Sequence, residues 1–235
     1  MHSYGFYNFS SEKRTSRNYA GRNRLAIRSH PGEAGRLMIK IPEGDFAAYI
    51  FDCDGTLGDT MPLHYSAWRE ALKEQDFDFP EASFYEMGGM PTERIVEILN
   101  ERHGSHMPVK ETAHYKEELY LKGIEQIRPI GPVVDIVNRV YGKLPIAVAS
   151  GGHRRIVTRT LTCLGILEKF NVIVCAEDYR RGKPHPDPFL TAAERLGVAP
   201  ERCLVFEDTN AGVESARAAG MQWVLVPPPP RGGQA

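Results

Sequence analysis

Short apolar runs alternate with amphipathic stretches from residue 46 onward, and this alternation limits the possible folds more than any other feature. Each run is four or five residues long and rich in Val, Ile, Phe or Ala, which is typical of strands buried on both faces. The predicted strands are Ala47–Phe51, Pro145–Ala149, Val172–Ala176, Cys203–Phe206 and Trp223–Val226. The stretches between the later runs have apolar residues at helical spacing and stop at glycines. The pattern predicts an α/β fold, a doubly wound parallel sheet with helices on both faces.

One region interrupts this alternation between the first and second predicted strands. Residues 59–127 contain no convincing strand, but apolar residues recur at helical spacing near Leu63, Ile95 and, more weakly, Leu119. A stretch of this length is too long for a simple crossover between two strands. We therefore predict an all-helical cap, inserted into a core that is formed by residues 45–58 and 128–228.

The two ends of the chain are predicted to lie outside the folded core. The first 37 residues carry seven basic and two acidic side chains with few aliphatic ones, so they cannot bury enough apolar area to offset the entropy of ordering. We predict a disordered extension over residues 1–44 and a flexible, proline-rich tail over residues 229–235. An organelle transit peptide, or translation that begins at Met38, remains an alternative for the leader.

Composition narrows the possible partners. Beyond residue 37 the chain carries 22 basic and 28 acidic residues, which argues against a nucleic-acid-binding surface. No stretch approaches the ~18 consecutive apolar residues that a membrane span requires. The four cysteines form no C-x-x-C pair, so they are predicted to be reduced and buried. We expect a cytoplasmic monomer or weak dimer with no nucleic-acid or membrane partner.

Polar residues follow four of the predicted strands at the point where each strand ends. They are Asp52 and Asp54, Ser150 and Gly151, Lys183, and Glu207 and Asp208. Ligands of open parallel sheets bind at this edge. Clustered carboxylates repel one another unless a cation joins them, and oxygen-only ligands favour Mg²⁺. A lysine, a hydroxyl and glycine amides supply donors for an anion, so the set predicts a phosphoryl-transfer site.

Four motifs, in this order, resemble those of the haloacid-dehalogenase superfamily. They are Phe51–Leu57 (FDCDGTL), Ser150 after an apolar run, Gly182–Asp187 (GKPHPD), and Phe206–Asp208 (FED). The resemblance covers residues 46–226. Any one motif would be a weak signal, because D-x-D alone also occurs on solvated loops, but four in order are specific.

The resemblance implies a role for each matching residue. Asp52 is implied to be the nucleophile that becomes an aspartyl phosphate, and Asp54 the general acid that later activates water. Ser150 and Lys183 are implied to bind phosphate oxygens. The implied ligands of Mg²⁺ are the Asp52 carboxylate, the Asp54 backbone carbonyl and Asp208, with Glu207 binding directly or through water.

The helical insert looks like the cap of a subgroup that contains sugar-phosphate phosphatases and β-phosphoglucomutase, so we expect it to select the substrate. His64 and Trp68 match a His-x-x-x-Trp pattern of those enzymes, and Thr60 and His64 are expected to reach the phosphate–sugar junction. Two plainer interpretations stay open. Trp68 would be core packing, and His64 a polar contact beside the hinge.

A glycine-rich segment, Gly88–Ile95, helps to separate a phosphatase from a mutase. Gly89 and Arg94 of this segment are predicted to bind substrate together with Gly151. In the hexose-phosphate mutases an arginine follows the glycine by three positions and binds the distal phosphate, but here that position is Thr92. The Pro-Thr-x-Arg-Ile arrangement around Arg94 is instead similar to that of fructose-1-phosphate phosphatases. An ordinary helix-start arginine is the alternative.

Together these resemblances imply a Mg²⁺-dependent phosphatase that hydrolyses a small sugar phosphate monoester through an aspartyl phosphate. One alternative is a β-phosphoglucomutase-like mutase, which would need a bisphosphate primer and release little phosphate. The other is a non-catalytic sugar-phosphate-binding regulator. The complete set of Asp52, Asp54, Lys183 and Asp208 counts against a regulator.

Overall fold

A five-stranded parallel sheet forms the centre of the protein. The computed structural model describes residues 39–230, so the expectations for residues 1–38 and 231–235 lie outside the described residues. The strands are β1 (Ala48–Phe51), β2 (Ile146–Ala149), β3 (Val172–Val174), β4 (Cys203–Glu207) and β5 (Gln222–Leu225). Their order is β3-β2-β1-β4-β5, and every neighbouring pair is parallel. The predicted doubly wound sheet is confirmed, with strand ends shifted by two residues at most.

Helices cover both faces of this sheet. The four that do so are α5 (Gly131–Val140), α6 (Arg154–Cys163), α7 (Asp187–Leu196) and α8 (Asn210–Ala218). Side chains of β1 alternate between the faces: Tyr49 and Phe51 pack with α5 and α6, whereas Ala48 and Ile50 pack with α7 and α8. Burial on both faces explains why the strands are continuously apolar.

Four further helices lie between β1 and α5. They are α1 (Met61–Ala71), α2 (Glu81–Glu86), α3 (Thr92–His103) and α4 (Val109–Lys122). They bury an apolar cluster of their own that includes Trp68, Phe79, Phe84 and Leu99. The sequence pattern did not predict α2, because six residues with only Phe84 buried are too short to show a helical period.

The chain enters and leaves this helical segment at neighbouring points. The amide of Asp59 donates to the carbonyl of Arg128 at 2.9 Å, and the amide of Ile130 donates to the carbonyl of Leu57 at 2.9 Å. Gly58 and Pro129 form an antiparallel bridge between these two bonds. The two crossings are therefore held side by side by backbone hydrogen bonds.

The remaining sequence expectations concern the membrane and the cysteines. None of the described helices has the length and apolar character needed to cross a bilayer. Cys53, Cys175 and Cys203 are buried and unpaired, as predicted. The prediction that all four are buried is wrong for Cys163, which is exposed because it is the last residue of α6, at the protein surface.

Candidate active site

The ends of β1 and β4 bring acidic side chains together around one lysine. Phe51 and Phe206 are paired across these adjacent strands, so Asp52 and Glu207 follow side by side. The Nζ atom of Lys183 lies 2.6 Å from Oδ1 of Asp52 and 2.9 Å from Oε1 of Glu207. All three side chains are buried. The lysine thus reaches the aspartate from a different loop, as the strand-end argument predicts.

A tight turn after β1 lets Asp208 approach the same point. Gly55 at the turn has φ +85°, a conformation that strongly favours glycine. A Cβ atom at Gly55 would lie 2.2 Å from Oδ2 of Asp208, so any side chain would displace that carboxylate. The hydroxyl of Thr56 donates to the other oxygen, Oδ1 of Asp208, at 3.1 Å. The D-x-D-G-T sequence therefore also shapes the position of Asp208.

The acidic cluster suits a hard divalent cation. One oxygen from each of Asp52, Glu207 and Asp208 lies within 4.8 Å of the others. Burial raises the pKa of Asp52 well above its usual range, and Glu207 and Asp208 raise it further while Lys183 opposes them. Burial, followed by the charge of Glu207, raises the pKa of Asp208 to about 8. A cation would offset this excess of buried negative charge, and an all-oxygen donor set fits Mg²⁺.

Glu207 is the member of the cluster whose two carboxylate oxygens both already accept hydrogen bonds. Its Oε2 accepts the backbone N–H of Thr209 at 2.7 Å, and its Oε1 accepts both Lys183 and the Thr209 hydroxyl. A Cβ atom at Gly212 would lie 1.9 Å from the carboxylate, so α8 packs directly against it. These contacts leave Asp52 and Asp208 as the better direct ligands and favour a water-mediated role for Glu207.

Asp54 lies at the end of a chain of donors that comes from the helical segment. Its Oδ1 accepts the hydroxyl of Thr60 at 2.7 Å and Nε2–H of His64 at 3.1 Å. Nδ1 of His64 accepts from Nζ of Lys116 at 2.8 Å. Burial alone would raise the pKa of Asp54, but the hydrogen bonds from His64 and the Thr60 hydroxyl, together with the positive charge of Lys116, outweigh it and lower the pKa to about 2. Asp54 is therefore held as a carboxylate.

Lys116 is a site residue that the sequence analysis missed. It is buried on α4, close to the faces of Trp68 and Tyr120, and burial lowers its pKa to about 8. It occupies the inward face of α4, together with Ala113 and Tyr120. A charged residue at an apolar-face position of an amphipathic helix was the available signal, because such a group is rarely buried without a function or a partner.

A partly open pocket of about 60 Å³ lies above Asp52 and Asp54. Its lining combines the sheet edge with the helical segment and includes Met61, His64, Trp68, Phe84, Met87, Gly89, Thr92, Lys116, Ser150 and Gly151. A Cβ atom at Gly151 would lie 2.2 Å from the carbonyl oxygen of Gly89. The helical segment is thus closed tightly onto the loop that follows β2.

Most of the predicted site residues therefore converge, but Arg94 does not. Ser150 is buried, and its Oγ accepts the amide of Gly152 at 3.1 Å. Arg94 instead lies on the exposed side of α3, where it pairs with Glu97 at 2.8 Å and Glu101 at 3.5 Å. It is not part of the pocket lining. The structure places Arg94 in the position of an ordinary surface residue near the start of a helix.

Comparison with known proteins decides the family. The family model described as "Haloacid dehalogenase-like hydrolase" matches residues 49–226, which is most of the chain. The chain belongs to this haloacid dehalogenase-like hydrolase family. The resemblance inferred from the four motifs is confirmed, and the buried cluster of Asp52, Lys183, Glu207 and Asp208 lies where those motifs meet.

Relatives within the haloacid dehalogenase-like hydrolases include several phosphatases. The chain is 37% identical to fructose-1-phosphate phosphatase YqaB of Escherichia coli over 182 residues, 77% of this chain and 96% of that protein. It is 30% identical to a phosphorylated carbohydrates phosphatase of Thermotoga maritima, covering 74% and 82% of the two chains. A β-phosphoglucomutase from Clostridium difficile has a similar structure, with a TM-score of 0.70, 27% identity and coverage of 76% and 83%.

Proposed function

We propose that this haloacid dehalogenase-like hydrolase is a Mg²⁺-dependent phosphatase that hydrolyses a small sugar phosphate monoester. The observation that carries the proposal is the buried contact of Lys183 with both Asp52 and Glu207, at the edge where Asp208 also lies. This arrangement provides a nucleophilic carboxylate beside a fixed ammonium group. The named phosphatases among the relatives support the same chemistry.

Asp52 is the proposed nucleophile. Its carboxylate attacks phosphorus, the bond between phosphorus and the sugar oxygen breaks, and an aspartyl phosphate forms. Lys183 and Ser150 bind the phosphoryl oxygens and stabilise the charge that spreads over them. Water then attacks the same phosphorus, the bond between phosphorus and the Asp52 oxygen breaks, and inorganic phosphate and the Asp52 carboxylate are released. Mg²⁺, held by Asp52, the Asp54 carbonyl and Asp208, would supply electrostatic stabilisation of the transferring group.

Asp54 is the proposed acid and base of the two steps. In its protonated form it gives a proton to the departing sugar oxygen, and as a carboxylate it takes a proton from the attacking water. The hydrogen bonds from Thr60 and His64 favour the carboxylate, so the described arrangement matches the second step. Lys116 supports this state by fixing the His64 tautomer that donates to Asp54.

The helical segment, residues 59–127, is proposed to be a cap that moves on the paired crossings at residues 57–59 and 128–130. Its closure over the pocket would exclude bulk water and contact the sugar. Within the described residues that line the pocket, Lys116 is the cationic side chain. One cation from the cap suits a monophosphate better than a bisphosphate, which favours hydrolysis over the mutase reaction. Thr92, where those mutases have arginine, supports the same choice.

A substrate panel tests this proposal. Purified protein is incubated with Mg²⁺ and a set of sugar and nucleotide monophosphates, including fructose 1-phosphate, and released phosphate is measured. We expect turnover of at least one small sugar monophosphate without any bisphosphate primer. Isomerisation of glucose 1-phosphate that depends on such a primer, with little phosphate released, would instead establish a mutase. No reaction with the whole panel would favour the binding regulator.

Mg²⁺ should stabilise the protein through the acidic cluster. At a concentration of 100 times its Kd, a ligand that binds only the folded state adds about 2.7 kcal/mol to the free energy of unfolding. For a domain of this size that corresponds to a rise in Tm of roughly 5–10 °C. Differential scanning calorimetry with Mg²⁺ and with EDTA measures the shift. Asp208→Asn should remove most of it, and an unchanged shift in that variant would contradict the assignment of Asp208 as a ligand.

Gly151→Ala should slow turnover by preventing tight closure. The new Cβ would lie 2.2 Å from the Gly89 carbonyl oxygen, so one of the two loops must move by about 1 Å. A displacement of that size at an active site costs about 10²-fold in rate. We expect kcat/KM to fall by about that factor while Tm changes little. Gly131→Ala is the matched control, because a Cβ there meets nothing within 4 Å. Equal kcat/KM in the two variants would show that the close contact between Gly151 and the Gly89 carbonyl does not affect turnover.

A further inference from the structure

A histidine next to the proposed phosphate-binding loop contacts two acids of the helical segment. His153 follows Ser150-Gly151-Gly152 and precedes α6. Its Nδ1 lies 2.9 Å from Oε1 of Glu117 on α4, and its Nε2 lies 3.2 Å from Oε2 of Glu93 on α3. We call these three side chains, His153, Glu93 and Glu117, the seam bridge. None of these three residues was predicted from the sequence to have a role.

The geometry of the seam bridge favours a protonated imidazole. Neutral histidine has one N–H donor, and its other ring nitrogen is an acceptor. Both nitrogens of His153 face carboxylate oxygens, which only accept. A neutral ring would therefore place the Nε2 lone pair close to Glu93, whereas the imidazolium donates a hydrogen bond to Glu117 and attracts Glu93 by its charge. The closed arrangement is therefore most stable when His153 carries a positive charge.

Neighbouring side chains of opposite charge also join α6 to the helical segment. Arg155 on α6 lies 2.6 Å from Glu118 and 3.8 Å from Glu117, both on α4. The surface of α6 that faces the helical segment is thus basic, and the surface of the helical segment that faces α6 is acidic. Glu117 also accepts the Thr92 hydroxyl at 3.3 Å, and Thr92 lines the pocket. The bridge is therefore linked to the pocket wall by one hydrogen bond.

We infer that His153, Glu93 and Glu117 act as positioning residues that hold the helical segment closed over Asp52 and Asp54 while His153 carries its proton. The inference rests on the proposed phosphatase function and adds a regulation of the same site. When His153 loses its proton, one contact becomes repulsive and the closed state loses stability relative to an open one. Turnover should then depend on the ionisation of a residue that does not touch the substrate.

The direction of the pH dependence follows from the charges around His153. The hydrogen bond with Glu117 is the main cause that raises the pKa of His153 to about 9; Glu93 and Glu177 add to it, and burial opposes them. Arg155 and Lys116, which face Glu117, reduce the negative charge that His153 meets. Because closure raises the pKa of His153, the bridge stabilises the closed state fully below about pH 6.5, the usual pKa of histidine. This stabilisation is lost as the pH rises through about 9.

Steady-state kinetics with fructose 1-phosphate, or the best monophosphate of the panel, test the bridge. The ratio of kcat/KM between variant and wild type is measured from pH 6.5 to 10, because titrations shared by both proteins cancel in that ratio. For a pair that is partly exposed we expect His153→Gln to lower kcat/KM about tenfold at pH 7.5, with the difference disappearing by pH 10. His153→Arg keeps a permanent positive charge at this position. Its kcat/KM should therefore lie within about threefold of the wild-type value at pH 7.5 and exceed the wild-type value at pH 10.

Controls separate this role from a general loss of structure. His106→Gln replaces an exposed histidine of the helical segment and should give a ratio near one at every pH. Glu93→Gln, a change at a side chain that is 31% exposed, should reproduce part of the His153→Gln effect with Tm unchanged. A pH-independent ratio for both His153→Gln and Glu93→Gln would overturn the inference.

A measurement without turnover distinguishes failure of the bridge from failure of the phosphatase assignment. The ¹⁵N chemical shifts of the His153 ring are followed by NMR from pH 5 to 10 in the full-length protein. We expect a midpoint near 9 in wild type, and a midpoint close to the usual histidine value in Glu117→Gln. A wild-type midpoint below 7 would overturn the bridge even if the protein hydrolyses sugar phosphates. A midpoint near 9 would support it even if no substrate of the panel reacts.

Discussion

Asp52→Asn should lower the rate of phosphate release by about 10⁴-fold or more. Asparagine has nearly the same size, so the packing at the end of β1 is kept, but its neutral amide oxygen is a far weaker nucleophile toward phosphorus than a carboxylate oxygen. Removal of a covalent nucleophile has effects of this order in enzymes. The loss should appear in kcat, because Lys183 and Ser150 remain available to bind the phosphate. Single-turnover phosphate release, with enzyme in excess, measures it.

Two controls test whether the loss of activity comes from the missing carboxylate of Asp52 and not from a change in structure. Asp76→Asn makes the same chemical change at an exposed position and should leave kcat within about twofold, since surface substitutions away from a site have small effects. The circular dichroism spectrum of Asp52→Asn should match that of wild type. If Asp52→Asn retains activity within a few fold, Asp52 is not the nucleophile, whatever the other residues of the cluster do.

Lys183→Met should reduce both activity and stability. Its ammonium group is buried against Asp52 and Glu207, and no other side chain of the described residues donates to both. Removing one partner of a buried ion pair leaves uncompensated charge and typically costs about 3–5 kcal/mol. For a domain of this size the fall in Tm is roughly 6–20 °C. We expect kcat/KM to fall about 10³-fold, because both phosphate binding and transition-state stabilisation are lost.

The stability loss in Lys183→Met should depend on pH in a direction that identifies its cause. Without the lysine, which opposes the effect of burial, the folded-state pKa values of Asp52 and Asp208 rise further, so the folded protein binds protons more tightly than the unfolded chain. Stability then increases as the pH falls through those raised values, and the variant should differ less from wild type at pH 5 than at pH 8. Lys143→Met, an exposed methionine substitution, is the control and should move neither Tm nor kcat/KM. An equal fall in Tm at both pH values would indicate lost packing instead of unpaired charge.

The sequence predicted the sheet well because its three central strands, β1, β2 and β4, are buried on both faces. Continuous apolar runs such as Ile146–Ala149 have few alternatives to a central parallel strand, and the polar residues that follow them must then meet at one edge. This reasoning predicted that Asp52, Lys183, Glu207 and Asp208 would converge. It depends on strand order only weakly, because all the strands of a parallel sheet end at the same edge.

Contacts between distant helices were less predictable. Arg94 was predicted to bind substrate from its place in a short motif, but the rotation of α3 turns it toward Glu97 and solvent. Lys116 and His153 were missed because their contacts depend on which helix faces the sheet edge. Helical periodicity gives the buried side of a helix and not its neighbour, so a charged residue on that side has no partner until the helices are placed.

The paired crossings at residues 57–59 and 128–130 also bear on how such a protein can be altered. Since the chain departs and returns at adjacent, hydrogen-bonded positions, the path of every strand is independent of what lies between them. Insertions are tolerated best where the two ends of the foreign segment can be close together. Grafting an unrelated helical module between Gly58 and Pro129 should therefore change which molecules reach Asp52 while the contacts that join Lys183 to Asp52 and Glu207, none of which comes from the helical segment, stay in place. A graft of this kind must supply its own partners for Asp54 in place of Thr60 and His64.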